Sequence, residues 1–93
     1  MKCHGEYKSP GGKLVVADFQ VIQDRLENVR ISGDFFLYPD DAIHWINDAL
    51  TGASADVDPA DLAQRVRLIL GPEVEMLGFD ADAIAEAVRR GLS

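Results

Sequence analysis

The spacing of apolar residues changes period once in this chain, at Pro39, and that change limits the folds open to it. Before Pro39, Val15, Ala17 and Phe19 alternate with Leu14 and Val16, and Val29 and Ile31 lie opposite Asn28 and Arg30; a period of two marks a strand. After it, Ala42, Ile43, Ile46, Ala49 and Leu50, then Leu62, Val66, Ile69 and Leu70, recur at helical spacing. Strands first and helices after predict an α+β domain: a small three-stranded antiparallel sheet followed by about three helices packed on one face.

The boundaries follow from turn and cap chemistry. Pro10-Gly11-Gly12 fits a tight turn, which makes Lys2 to Lys8 a first strand and Lys13 to Gln20 a second. The polar Gln23-Asp24-Arg25 joins the second strand to a third, Leu26 to Ser32, as a hairpin. Asp40 and Asp41 suit a helix N-terminus, and Gly52 ends that helix. Residues 52–57 are a connection without periodicity. Asp58-Pro59 opens a second helix, which Gly71-Pro72 stops. Asp80 caps a third, with Phe79 and Ile84 spaced as a hydrophobic staple and Arg89 and Arg90 at its C-terminal end. One sheet face is left uncovered, and its exposed edges invite a neighbour's strand.

With 93 residues the chain is expected to form one domain over 1–93, near the size at which a single core stabilises only modestly, so a partner surface would help it. No apolar run approaches the ~20 residues of a membrane span, and no apolar stretch follows the N-terminal charge. A cytoplasmic location is therefore expected, with no membrane contact. The lone Cys3 excludes an internal disulfide and gives no metal-ligand spacing. Residues 1–33 carry a net charge of +1 and the rest −8. An acidic helical half repels a phosphate backbone, so no nucleic-acid partner is expected, and the N-terminal half is the less hostile one for any anion.

No serine or cysteine has a base recognisable beside it, the carboxylates read as caps and surface charge, and His4 and His44 sit in no metal-ligand pattern. Catalytic residues and metal ligands are thus expected to be absent. Two other groups of residues stand out. Lys8 and Lys13 flank Ser9-Pro10-Gly11-Gly12, a hairpin turn whose glycines also let backbone amides approach an anion. Asp34 stands where a carboxylate can fasten a turn into a helix or touch a partner, and Phe35, Phe36, Tyr38 and Trp45 gather four of the seven aromatics in one short stretch. A domain this small leaves part of such a cluster as interface material.

Lys8-Ser9-Pro10-Gly11-Gly12-Lys13-Leu14-Val15 followed by Gly33-Asp34-Phe35-Phe36-Leu37-Tyr38-Pro39 resembles the C-terminal accessory domain of lipoate–protein ligases, with its GGKLV-like strand start and GDFF-like strand-to-helix junction. The likeness runs over essentially the whole chain. It implies a stand-alone small subunit of a split ligase that, with a large catalytic subunit, activates lipoate to lipoyl-AMP before transfer to a lysine of a carrier such as the glycine-cleavage H protein or a 2-oxoacid dehydrogenase acyltransferase. ATP, magnesium and lipoate would be used by the complex, with no cofactor bound by this chain alone. Lys13, with Gly12 and Lys8, would then lie near the adenylate, and Asp34, Phe35, Phe36, Tyr38 and Trp45 near the partner subunit. An adaptor that docks the ligase to its carrier without affecting the chemistry is the alternative.

Overall fold

The computed structural model describes residues 1–92. Strands β1 (Lys2–Lys8), β2 (Leu14–Ile22) and β3 (Arg25–Gly33) form an antiparallel sheet in the order β1-β2-β3. Ile22 pairs with Arg25, so the β2–β3 turn is the two residues Gln23 and Asp24, at φ 51° and 63°. Two positive φ values in a two-residue loop give the turn whose twist matches that of the flanking strands. Arg25, expected in the turn, belongs to β3.

The β2–β3 register slips by one residue between Asp18 and Gln20, where Phe19 faces both Asn28 and Val29. Asn28 takes φ 54°, a conformation asparagine tolerates, and forms a bulge. Its effect is on phase. Uniform alternation would turn Leu26 away from the face that holds Val29 and Ile31, whereas with the bulge all three are buried.

Helices α1 (Ala42–Leu50), α2 (Pro59–Ile69) and α3 (Ala81–Leu92) cover one face of this sheet. α3 lies on β1 and β2, α1 lies on β3, and α2 packs against both helices. The core is built from Val15, Ala17 and Phe19 of β2, Leu26, Val29 and Ile31 of β3, and the inward stripes of the helices: Ile46 and Leu50, Leu62 and Val66, Ile84 and Val88. At Gly5 the backbones of β1 and α3 nearly touch: a Cβ there would strike the Ala87 carbonyl oxygen and lie 2.5 Å from the Gly91 nitrogen. Pro59 occupies the first turn of α2, and the Asp58 carbonyl accepts the Asp61 and Leu62 N–H groups at 3.0 and 3.1 Å. The Asp80 carboxylate caps α3, accepting the Ala83 N–H at 2.8 Å.

Two differences from expectation concern the sheet. Gly33 to Pro39 is not a direct strand-to-helix junction: Phe36–Tyr38 is a strand, β4, paired antiparallel with a second short strand, β5 (Glu75–Leu77). Three residues are too few to show a period, and the partners lie far apart in sequence. Nor is the outer edge of β3 open. The Leu26 N–H donates to the Ala53 carbonyl at 2.8 Å, its carbonyl accepts the Gly52 N–H at 2.6 Å, and the Ile31 N–H donates to Asn47 Oδ1 at 2.9 Å. Among the described residues no helix is long and apolar enough to cross a membrane.

Candidate functional site

Three chain segments that the sequence separates meet at one end of the sheet. The Gly12 N–H donates to the Ser9 carbonyl at 2.8 Å and closes the β1–β2 turn. The next amide, that of Lys13, donates to the Gly78 carbonyl at 2.7 Å, which ties the turn to the residue following β5. The Asp34 N–H donates to the Leu14 carbonyl at 3.2 Å and holds the end of β3 to the same place. Phe35 then stacks on Phe79, with ring centroids 3.8 Å apart and planes 16° from parallel. The PGGK turn, the GDFF segment and the entry to α3 form a single knot.

Gly78 takes part in one of these bonds and is itself tightly constrained. Its φ is +90°, a conformation that side chains rarely adopt, and a Cβ there would run into the stem of Lys13, 3.1 Å from its Cβ and closer still to its Cγ. The Lys13 stem therefore lies across Gly78. Its residue is exposed, as is Lys8, and among the described residues neither enters an ion pair. The turn offers an anion less backbone than its glycines suggest, because the Gly12 and Lys13 amides are both committed within the molecule. What remains for a ligand is an ammonium held at the base of a rigid turn.

The expected interface residues separate. Phe35, through its stack on Phe79, is half-buried structure, and Trp45 is half-buried on α1. Asp34 is exposed, and its backbone N–H rather than its carboxylate makes the fastening bond. Phe36 and Tyr38 are 51% and 57% exposed on β4. Leu77 of β5, 61% exposed and paired with Phe36, joins them. Sequence reasoning missed Leu77 because its exposure depends on β5, which has no periodic signal.

A second cluster lies on the uncovered sheet face. Cross-strand pairing sets His4 opposite Asp18, and its ring nitrogens reach Asp18 Oδ1 at 2.6 Å and Glu6 Oε2 at 2.7 Å. The hydrogen bond to Glu6, then that to Asp18, raises the His4 pKa above its ordinary value, since a ring between two carboxylates is satisfied only when both nitrogens carry protons. The tight PGG turn contained the signal for this pair: counting back from Lys8–Leu14 brings His4 to Asp18. On α3, hydrogen bonds from Arg89 and Arg90 pull Glu86 down to about 2 against the opposing effect of burial. Among the described residues no group of three or more His, Cys, Asp or Glu side chains is arranged to hold a metal ion.

No family model matches the chain. Among curated proteins it is similar to lipoate-protein ligase A subunit 2 of Thermoplasma acidophilum, at 31% identity, over 50% of this chain and 68% of that one. Among solved structures it matches a chain from the structural analysis of an archaeal lipoylation system, a bi-partite lipoate protein ligase and its E2 lipoyl domain, also from Thermoplasma acidophilum. The TM-score is 0.77 and the identity 25%, over 96% of both chains.

Proposed function

The chain belongs to the family of lipoate–protein ligase A subunit 2, and from that premise we propose that it is the accessory subunit of a two-component lipoate–protein ligase, required with a large catalytic subunit to activate lipoate to lipoyl-AMP. The observation that carries this reading is the match over 96% of both chains to a component of a system that contains a bi-partite ligase. ATP, magnesium and lipoate are held by the complex, and the product passes to a lysine of a lipoyl carrier domain such as the glycine-cleavage H protein or a 2-oxoacid dehydrogenase acyltransferase. The work is done in the cytoplasm.

The physical role is that of a lid supplied by a second chain. Lipoyl-AMP is a mixed anhydride that water destroys, and closing a site over it excludes water while ordering the loops around it. Lys13 suits the contact with the adenylate: it is exposed, its amide is fixed to Gly78, and its stem lies across that glycine, so its ammonium is presented from a rigid base. A cation so placed favours a phosphate oxygen that carries charge throughout the adenylation step. Gly12 belongs to the same turn and Lys8 flanks it.

The test is lipoate-dependent exchange of pyrophosphate into ATP by the cognate large subunit, with and without this chain. Exchange is expected to require the chain, and Lys13→Ala to lower it by roughly tenfold or more, the worth of one charge-assisted hydrogen bond. Equal exchange in its absence sinks the proposal and leaves a docking adaptor, which changes affinity for the carrier and not the rate of activation.

A further inference from the structure

The exposed large apolar side chains are Met1, Ile22, Phe36, Tyr38, Leu68, Ile69 and Leu77 among the described residues. Three of them form a surface. Phe36 and Tyr38 are two apart on β4 and so share a face, and Leu77 stands directly across from Phe36 on β5. Their inward neighbours Leu37 and Met76 pack on the core, so the ribbon is fixed from beneath while its outer face is uncovered. Leu68 and Ile69, by contrast, are consecutive on α2 and diverge.

Charge decides what fits this face. Glu75 pairs with Tyr38 on the ribbon itself, and Asp34, Asp40 and Glu73 are exposed at the ends of its two strands. A second copy would bring the same carboxylates against these, which repels. We propose that the outer face of the β4–β5 ribbon is the docking surface for the large catalytic subunit, which meets it with an apolar hollow edged by lysine and arginine side chains. The proposal rests on the accessory-subunit reading above. It also joins the two parts of that reading: Leu77 is followed by Gly78, whose carbonyl holds the Lys13 amide, so docking through the ribbon sets Lys13 at the seam between the subunits. Aromatics at the centre of an interface, with charge around them, are the usual carriers of binding energy, and Leu77 adds apolar area beside them.

The test measures association of this chain with its cognate large subunit by isothermal titration at low and high salt, with circular dichroism melts to confirm folding and sedimentation of the chain alone. Phe36→Ser combined with Leu77→Ser is expected to weaken binding by about a hundredfold. Glu75→Lys, at an exposed position, carries the test by itself if the double variant unfolds: it should weaken binding by about tenfold at low salt, and by less as salt screens the contact. Leu68→Ser on α2 should bind as the parent does. Folded ribbon variants that keep parental affinity overturn the docking surface and leave the accessory-subunit reading standing. A parent chain that does not bind the large subunit overturns both. A parent homodimer that the ribbon variants dissolve assigns the face to self-association and overturns the proposal.

Discussion

At the crossing of α3 over β1, Gly5, Ala87 and Gly91 bring two backbones into contact, whereas on the β4–β5 ribbon Phe36, Tyr38 and Leu77 stand half exposed or more. The smallest residues close one contact within the fold, and some of its largest are left over elsewhere on the surface. Small residues at a crossing trade side-chain area for close approach, so the energy there lies in shape and an added methyl group is costly. Large residues on a ribbon contribute little to the isolated domain, and their apolar area becomes useful only when something covers it. If the ribbon docks a partner as proposed, fold and recognition depend on different parts of one small molecule, and the two should respond oppositely to substitution.

The largest expected effect lies at the crossing. Gly5→Val should cost about 3 kcal/mol, seen as a fall of ~15 °C in the thermal midpoint; a midpoint near the parental value would mean that the helix can lift away and that the contrast is false. Gly78→Ala probes the link from the ribbon to the start of α3. It should lose about 1–2 kcal/mol through its positive φ, and by displacing the Lys13 stem should lower lipoate activation while the domain remains folded at the assay temperature. Retained activation with reduced stability would separate Gly78 from the lysine it supports.

The smallest effect concerns pH. The folded His4 pKa is raised, so its contribution is fully present below the ordinary histidine value and is lost as pH rises through the folded one. Glu86 acts in the opposite sense: its lowered pKa contributes above its ordinary value of 4.5 and is lost as pH falls towards about 2. The thermal midpoint should therefore decline gently as pH rises above the ordinary histidine value of 6.5, and His4→Gln should flatten that decline without touching the acid limb. The cluster is exposed, so screening keeps the change small. A parental profile unchanged in His4→Gln would show that the imidazole contributes nothing to holding β1 on β2.

What was legible in the sequence was whatever repeats or punctuates. The period-two runs and the PGG turn located β1 and β2, and Asp58-Pro59 and Asp80 marked the starts of α2 and α3 because caps act within a few residues of themselves. What stayed hidden depends on distant partners. β5 exists because β4 is there to pair with it, and Leu77 is exposed for the same reason. The Asn28 bulge left only an odd phase between Leu26 and Val29 as its trace. Lys13 stood out from its turn and its family likeness, but the Gly78 carbonyl that fixes it comes from the far end of the chain.

The occupied edge of β3 has a consequence for how copies of this domain can meet. With Leu26 already bonded to residues 52 and 53 and Ile31 to Asn47, a visiting strand finds ladder positions taken, and β1 is left as the sheet's other edge. A body with two sticky edges can polymerise without end. A sheet with one can only pair edge to like edge, about a twofold axis, and that union consumes the edge and terminates. Growth of the β1-β2-β3 sheet by strand addition is therefore self-limiting, a property written into an asparagine side chain and a short loop rather than into the sheet itself.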